Sequence, residues 1–458
     1  MNLKALLLTS PCSTKNKFWT CSITSPVGSI MPPCDLASIA ATLREQGIEP
    51  RILDMRLYKN KKPFQALERE LDAWQPDAII MNMATATAMD DYPILNMTRD
   101  KVKRRIVFNF HAMALPDELF DQGATHILVG DPEYGVAAAV RGDEVNRGIW
   151  TREHTTSEPG WIESLDDLPH PALDLLDVNA YHTLIMGKEP FSILLATRGC
   201  PYQCPYCVIP FLFGRRVRAP SVAHVVGEIE RDMNQFNIRS FFFIDSAINL
   251  KPQWTTEFCE EVLRRNLKIR WCSNMRVPPV SRELLSLMKR SGCFRVFYGV
   301  EDLDLIDELN RKTTREATRE AFELTNEVGI ETVAFIILFP GVDRSEKEMV
   351  RRIINQVLEL KANALQCNLA IPYPGSQLYS EYMKRYDMSK DWSLYDPAGN
   401  QLPYPTELNL VKVRRLVYLR FFLRRPAYVW SLFKKTDLRS IFTFLKNSSK
   451  VLWESGHK

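Results

Sequence analysis

The chain has 458 residues, 45% of them hydrophobic and 25% charged, with a formal net charge of +4 at pH 7. That composition excludes a disordered chain, the length exceeds what one ordinary core organises, and the near-balanced charge singles out no polyanionic partner. Ten cysteines are too sparse over this length for a disulfide scaffold: three are clustered, and Cys12, Cys21, Cys34, Cys259, Cys272, Cys293 and Cys367 are scattered, as suits a reducing cytoplasm.

The opening Met1-Asn2-Leu3-Lys4 lacks the basic-then-apolar layout of a signal peptide, and no window offers about 18 uninterrupted apolar residues, so neither a leader nor a membrane span is expected. Over residues 1–150, short apolar runs at 4–8, 51–53, 78–83, 105–110 and 126–129 alternate with helix-like segments. One of these, 36–44, is amphipathic and stops near Gly47. Five such strand–helix units predict an α/β fold, an open doubly wound parallel sheet of Rossmann or flavodoxin-like type covered on both faces. Ligands of such folds bind beyond the C-terminal strand ends, where the strand order reverses. The segments there are 9–33, 84–90, 111–116 and 130–135. His111 is the one imidazole near them, and a bare histidine in a loop is more often a hydrogen-bonding residue than a metal ligand.

Residues 151–190 form a connector. Its stretch Asp166-Asp167-Leu168-Pro169-His170-Pro171-Ala172 is extended, because Pro169 and Pro171 exclude a helix there. From 191 to 398 the alternation resumes with longer units. Strands are predicted at 191–196, 240–244, 269–274, 295–300, 332–338 and 364–370, with helices between them such as 223–234 and 281–291. The loop leaving the first of these strands carries Cys200, Cys204 and Cys207 among Pro201 and Pro205, which keep it non-helical and let three thiolates converge. Thiolates crowded so closely can share an iron–sulfur cluster with one iron left open. Zinc would need a fourth ligand, and no nearby Cys or His offers one.

The Cys-x3-Cys-x2-Cys run, with Tyr206 before its last cysteine, resembles the radical S-adenosylmethionine (SAM) superfamily. The resemblance implies a partial six-stranded (β/α) barrel, a 4Fe-4S cluster on Cys200, Cys204 and Cys207, and SAM chelated to the open iron. Phe297-Tyr298-Gly299-Val300-Glu301 is similar to the family's Gly-Ile-Glu strand end, so Glu301 is expected at the SAM ribose and Tyr206 at the adenine. Asp245 and Arg276, each closing a strand, are further SAM-site candidates; each is as readily a partner in a structural ion pair. Pro32-Pro33, the Gly130-Asp131-Pro132-Glu133 turn and the acidic, proline-bearing connector resemble the cobalamin-binding domain and link of cobalamin-dependent radical SAM enzymes. Thr85, Thr87, His111, Gly130, Asp131 and Glu133 are the expected cobalamin contacts. The turn departs from the family's Gly-Glu-Gly-Glu, and there is no Asp-x-His-x-x-Gly, so no histidine ligand to cobalt is expected from that motif.

The last segment, 399–458, is basic: from 401 onward twelve Lys or Arg face three acids, a net of +9 against +4 for the whole chain. Leu416, Leu419, Phe422 and Leu423 lie at helical spacing beside Arg414, Arg415, Arg420 and Arg424. Past Pro426, a second helix carries Tyr428, Trp430, Leu432 and Phe433 before Lys434 and Lys435. Such a pair suits either a helical segment docked on the barrel or a contact with the inner membrane face. It does not suit nucleic acid, since its apolar residues want burial.

Taken whole, the resemblance implies a cytoplasmic class B radical SAM methyltransferase of three parts: a cobalamin-binding domain, a partial barrel and a helical C-terminal segment. It implies SAM cleavage to methionine and a 5′-deoxyadenosyl radical, and methylation of an unactivated carbon or phosphorus of a hydrophobic small molecule, lipid, tetrapyrrole or natural product. A reducing partner such as flavodoxin or ferredoxin is expected, and no nucleic acid. Two other readings stand beside it: a non-methylating radical cyclisation, rearrangement or oxidation with the same cofactors, and a non-enzymatic iron–sulfur or corrinoid-binding regulator.

Overall fold

A computed structural model describes residues 3–11, 30–58, 62–144, 147–155, 158–183, 185–187 and 189–425. The first sheet holds β1 (Lys4–Leu8), β2 (Glu49–Leu53), β3 (Ala78–Asn82), β4 (Arg104–Phe108), β5 (His126–Leu128) and β6 (Ile149–Trp150), in the order β2-β1-β3-β4-β5-β6. All pairs are parallel except β5 with β6. That two-residue antiparallel edge was not expected, because two residues carry no readable period.

Side-chain alternation explains why both faces are covered. Leu6, Leu8, Ile79, Met81, Val107 and Ile127 point to one core, and Ala5, Leu7, Ile80, Ile106 and Leu128 to the other. Helices α1 (Cys34–Glu45) and α6 (Pro132–Arg141) cover the second face; α2 (Lys62–Trp74) and α3 (Ala88–Met97) cover the first. Two short helices, α4 (Phe110–Ala114) and α5 (Pro116–Asp121), follow β4. The order reverses between β1 and β3, so a ligand crevice opens beyond their C-terminal ends.

The second sheet runs β12-β11-β10-β9-β8-β7, every pair parallel: β7 (Phe191–Leu194), β8 (Ser240–Phe243), β9 (Arg270–Met275), β10 (Cys293–Glu301), β11 (Glu331–Leu338) and β12 (Ala364–Leu369). Strands in sequence order with two free edges make a partial barrel. The helices after the cysteine loop are α7 (Ile209–Phe213), α8 (Val222–Phe236), α9 (Pro252–Arg264), α10 (Arg282–Arg290), α11 (Arg315–Glu327), α12 (Glu346–Glu359), α13 (Gln377–Arg385) and α14 (Leu410–Leu423). Ser221, Ser281, Thr314, Ser345 and Ser376 cap α8, α10, α11, α12 and α13 by accepting a backbone N–H with their hydroxyls, which fixes where each helix starts.

The connector does more than span. Tyr181, Ile185 and Met186 pack with Met31 on Phe191, Phe242, Cys272 and Phe297, residues of four successive barrel strands. At the opposite edge, α14 packs on α12 and β12, burying Leu410, Val413, Val417 and Phe421. The free N–H of Cys367 on β12 donates to the Tyr418 hydroxyl at 2.9 Å, which blunts that sheet edge. Arg414 is also buried, donating to the carbonyls of Pro397 (3.0 Å) and Gly399 (2.6 Å). The first of the two basic C-terminal helices is thus a docked element; the second lies outside the described residues. Among the described residues, no helix is long and apolar enough to cross a membrane.

Candidate active site

The cysteine loop leaves the C-terminal end of β7 through a closed neck. Arg198 and Arg218 exchange backbone hydrogen bonds at 2.9 Å each way, and the Cys200 N–H donates to the Gly214 carbonyl at 3.2 Å. Gly199 sits at φ +91°, and a Cβ there would collide with the Arg216 carbonyl oxygen, so no larger residue fits the neck. The Cys207 N–H donates to the Cys204 carbonyl (3.0 Å), turning the chain between the last two cysteines. Two outside contacts hold the loop: Asn310 Nδ2 donates to the Gln203 carbonyl (3.2 Å) and the Leu378 N–H to the Pro205 carbonyl (2.8 Å).

Cys204 is buried, and Cys200 and Cys207 are half-buried. Burial pushes the Cys207 thiol up to about 12 and raises that of Cys200, so metal must displace these protons. Among the described residues, no three Cys, His, Asp or Glu side chains converge closely enough for a single ion. Three thiolates on one loop are the donor set of a four-iron cluster with one iron left open, whereas zinc would need a fourth ligand.

Two guanidiniums flank Cys204. Arg276, just past β9, lies 4.0 Å from its sulfur and Arg311, in the loop after β10, 3.9 Å. The Arg276 guanidinium also stacks 3.4 Å over the Tyr202 ring and donates to the Arg311 carbonyl, while Asn249 brackets its backbone at 2.9 and 2.8 Å. Arg311 donates to Tyr206 Oη at 2.9 Å and pairs with Glu301 at 3.0 Å. Burial opposes the Arg311 charge, but Glu301, Tyr206 and Cys204 together raise its pKa. Burial lifts the Glu301 carboxyl above the usual carboxylate range, and Arg311 offsets this only in part. Gly299 permits the approach: a Cβ there would sit 2.8 Å from Glu301 Oε1.

Of the expected SAM residues, Tyr206, Arg276 and Glu301 therefore meet around Cys204. Asp245 stands apart from that group, accepting the N–H of Thr197 and, at 3.4 Å, of Ala196, with burial raising its carboxyl to about 6. It fixes the root of the cysteine loop. Arg311 was missed from the sequence, because Asn310-Arg311-Lys312 matches no motif and its partners Cys204 and Tyr206 are distant in the chain.

The strand ends of the first sheet carry polar side chains that bond mainly to one another. Asp54 accepts from Thr9 Oγ1 at 2.8 Å, from Arg56 Nε at 2.7 Å and from Tyr181 Oη of the connector at 3.0 Å. Asn109 donates to Asn82 (2.6 Å), which in turn donates to Asp35. His111 is fully buried between Tyr92 Oη (3.0 Å from Nε2) and Thr85 Oγ1 (3.2 Å from Nδ1). Glu118 accepts from Tyr92 and from Trp392 of the C-terminal part, both at 2.6 Å. Burial lowers His111 to about 3, so it is neutral, and neither nitrogen is offered to a ligand. Thr87 donates to Asp91 at 2.8 Å. Gly130 pairs with Gly160 of the connector. The carboxylates of Asp131 and Glu133 are taken by Arg198 and Arg218 of the cysteine-loop neck.

The C-terminal ends of the two sheets meet. α4, after β4, touches α7, which follows the cysteines, and Phe110 packs edge-on against Tyr373 beyond β12 with centroids 5.4 Å apart. Trp392 lies edge-on to His111 at 5.1 Å.

The sequence profile of the radical SAM superfamily matches residues 194–353. An uncharacterized methyltransferase of Pyrococcus horikoshii is 25% identical over 94% of this chain and 95% of its own. A hopanoid C-3 methylase of Methylococcus capsulatus is 24% identical over 85% of this chain and 76% of its own. Among solved structures, the radical SAM methyltransferase TsrM of Kitasatospora setae, with cobalamin and a 4Fe-4S cluster bound, has a TM-score of 0.67 at 17% identity. It covers 84% of this chain and 75% of that one, a likeness of fold. With the cysteine loop at the end of β7 and a second α/β unit facing it, the chain carries a radical SAM domain over residues 194–353 within a two-unit α/β fold like that of TsrM.

Proposed function

We propose that this chain is a cobalamin-dependent radical SAM methyltransferase acting on a hydrophobic small molecule. The observation that carries the reading is the three-cysteine loop ringed by Arg276, Arg311, Glu301 and Tyr206, set opposite the strand ends of the first sheet. Cys200, Cys204 and Cys207 would hold a 4Fe-4S cluster, SAM would lie against Glu301 and Tyr206, and cobalamin beyond β3 to β5. When bound, these groups would supply an electron, a carbon-centred radical and a methyl group.

The chain's own residues do the rest. Arg276 and Arg311 bring positive charge to an anionic cluster and to the carboxylate of SAM. Glu301 accepts from ribose hydroxyls, and Tyr206, held by Arg311, offers its ring to the adenine. Around the first sheet, the Thr85–His111–Tyr92–Glu118–Trp392 chain holds the strand ends to the C-terminal part; Thr85, Thr87 and Gly130 would line the corrinoid's side of the crevice. Burial of the strand ends keeps water from a radical.

Phe339, Tyr382 and Tyr404 belong to a buried cluster onto which Tyr206 packs, and the relative named for a hopanoid favours an apolar substrate. Radical SAM enzymes need a reductant, and a flavodoxin or ferredoxin would serve. The basic segment beyond residue 425 would add a peripheral contact with an anionic membrane in the cytoplasm, which co-sedimentation of full-length and truncated protein with anionic liposomes tests. Anaerobic reconstitution with iron, sulfide and hydroxocobalamin, followed by dithionite as reductant and SAM labelled in its methyl group, tests the main reading. The expected result is 5′-deoxyadenosine together with label on the corrinoid. An intact cluster that yields neither would refute it.

A further inference from the structure

The two arginines that close the neck of the cysteine loop share one carboxylate of the other sheet. Arg198 Nη1 donates to Asp131 Oδ1 at 3.0 Å, and its fork clasps Glu133 with 2.8 Å to each oxygen. Arg218 donates to both Asp131 oxygens, to the Ile162 carbonyl at 2.7 Å and to the Phe213 carbonyl at 3.3 Å. Asp131 also accepts the Ile162 N–H at 2.8 Å, and Ser38 of α1 donates to Glu133 at 2.6 Å. All four residues are buried, between 1% and 6% exposed. Both stems of the loop, at 198 and 218, are thus anchored on the turn between β5 and α6, with the connector woven between them. The first stem is only two residues from Cys200.

Such an arrangement is a poor device for stability alone. Buried ion pairs are commonly replaced by apolar residues without loss, whereas their directed hydrogen bonds specify one geometry. Two arginines and two carboxylates leave no net charge to steer a ligand. What they do define is where the cysteine loop stands relative to the first sheet.

We propose that Asp131, Glu133, Arg198 and Arg218 form an interdomain latch whose task is to set the distance and orientation between the cysteine loop and the strand ends of the first sheet. They are positioning residues. The catalytic consequence rests on the two-cofactor reading above: a loosened latch separates radical formation from methyl transfer without removing either cofactor. The placement of the loop itself does not rest on that reading.

Arg198→Lys keeps the charge and loses the fork, and Glu133→Gln keeps the shape and loses the charge; both are milder than truncation and preserve a folded chain to measure. Each full-length variant is reconstituted with iron, sulfide and hydroxocobalamin, checked for iron and cobalt content, and compared with the parent in two ways. The first is hydrogen–deuterium exchange at 130–134, 160–162 and 198–218. The second is the magnetic interaction between the reduced cluster and Co(II) cobalamin by electron paramagnetic resonance. The expected result is exchange faster by on the order of tenfold in those segments only, with an altered cluster–cobalt interaction at unchanged metal content. Uniformly faster exchange with proportional loss of iron and cobalt would reduce the four residues to a stability role and overturn the proposal. So would unchanged exchange and coupling. If the parent binds no cobalamin, the two-cofactor reading fails on its own, and exchange at 198–218 still decides the latch.

Discussion

The two sets of strand ends that face each other are built from different chemistry. Around Cys204 the barrel gathers charge: Arg276, Arg311 and Glu301 are buried within one linked group. At the ends of β3 and β4 the first sheet gathers mainly uncharged hydrogen-bonding groups, Glu118 and Asp35 apart, with His111 held unprotonated and both its nitrogens used. A charged sulfonium ligand and an anionic cluster call for the first kind of surface. A large macrocycle such as the proposed corrinoid would rest against the second. The difference teaches that the surroundings of Cys204 are held by arginine–carboxylate pairing, and the ends of β3 and β4 by a hydrogen-bonded chain around an uncharged imidazole.

The largest effect is expected on the charged side. Cys204→Ala should abolish cluster assembly, measured as bound iron and sulfide after reconstitution, while leaving cobalamin uptake near the parent's level. Next comes Arg311→Met, which leaves Glu301 buried without its partner and should destabilise the chain by about 3–5 kcal/mol in chemical denaturation. The double variant with Glu301→Gln should recover part of that stability but not SAM affinity. Recovery of both would make the pair purely structural.

On the neutral side, His111→Asn should cost about 1–3 kcal/mol by leaving Tyr92 or Thr85 unsatisfied. Its pH signature separates it from the first group. Folded His111 titrates near 3 against 6.5 when unfolded, so between those values the unfolded chain binds more protons. Stability is complete above about 6.5 and falls as the pH is lowered through that window, and the Asn variant should show a flatter acid limb. The smallest effect is expected from Tyr418→Phe, about 1 kcal/mol, because it removes one hydrogen bond at the β12 edge.

The same division governed what could be read from the residues alone. Eleven of the twelve strands follow from apolar runs bounded by helix-like segments, since burial imposes a visible period. The cysteine loop was legible because its three ligands are local. Ion pairs are not: Asp131 and Arg198 lie 67 positions apart, and nothing near either names the other. Thus Asp131 and Glu133 are expected at a cofactor because their turn resembles that of cobalamin-binding domains, and their carboxylates are engaged by the cysteine-loop neck. Arg311 escaped for the same reason. His111 was chosen by position, while its buried partners Tyr92 and Thr85 come from elements whose packing no local pattern encodes.

The central claim is that one chain holds both cofactors across this interface, and one anaerobic experiment addresses it most directly. The protein reconstituted with iron, sulfide and hydroxocobalamin is desalted, and iron, sulfide and cobalt are measured per chain, with Cys204→Ala in parallel. The account predicts a full cluster and one corrinoid on the parent, and the corrinoid alone on the variant. A parent that takes up the cluster but no corrinoid would contradict it.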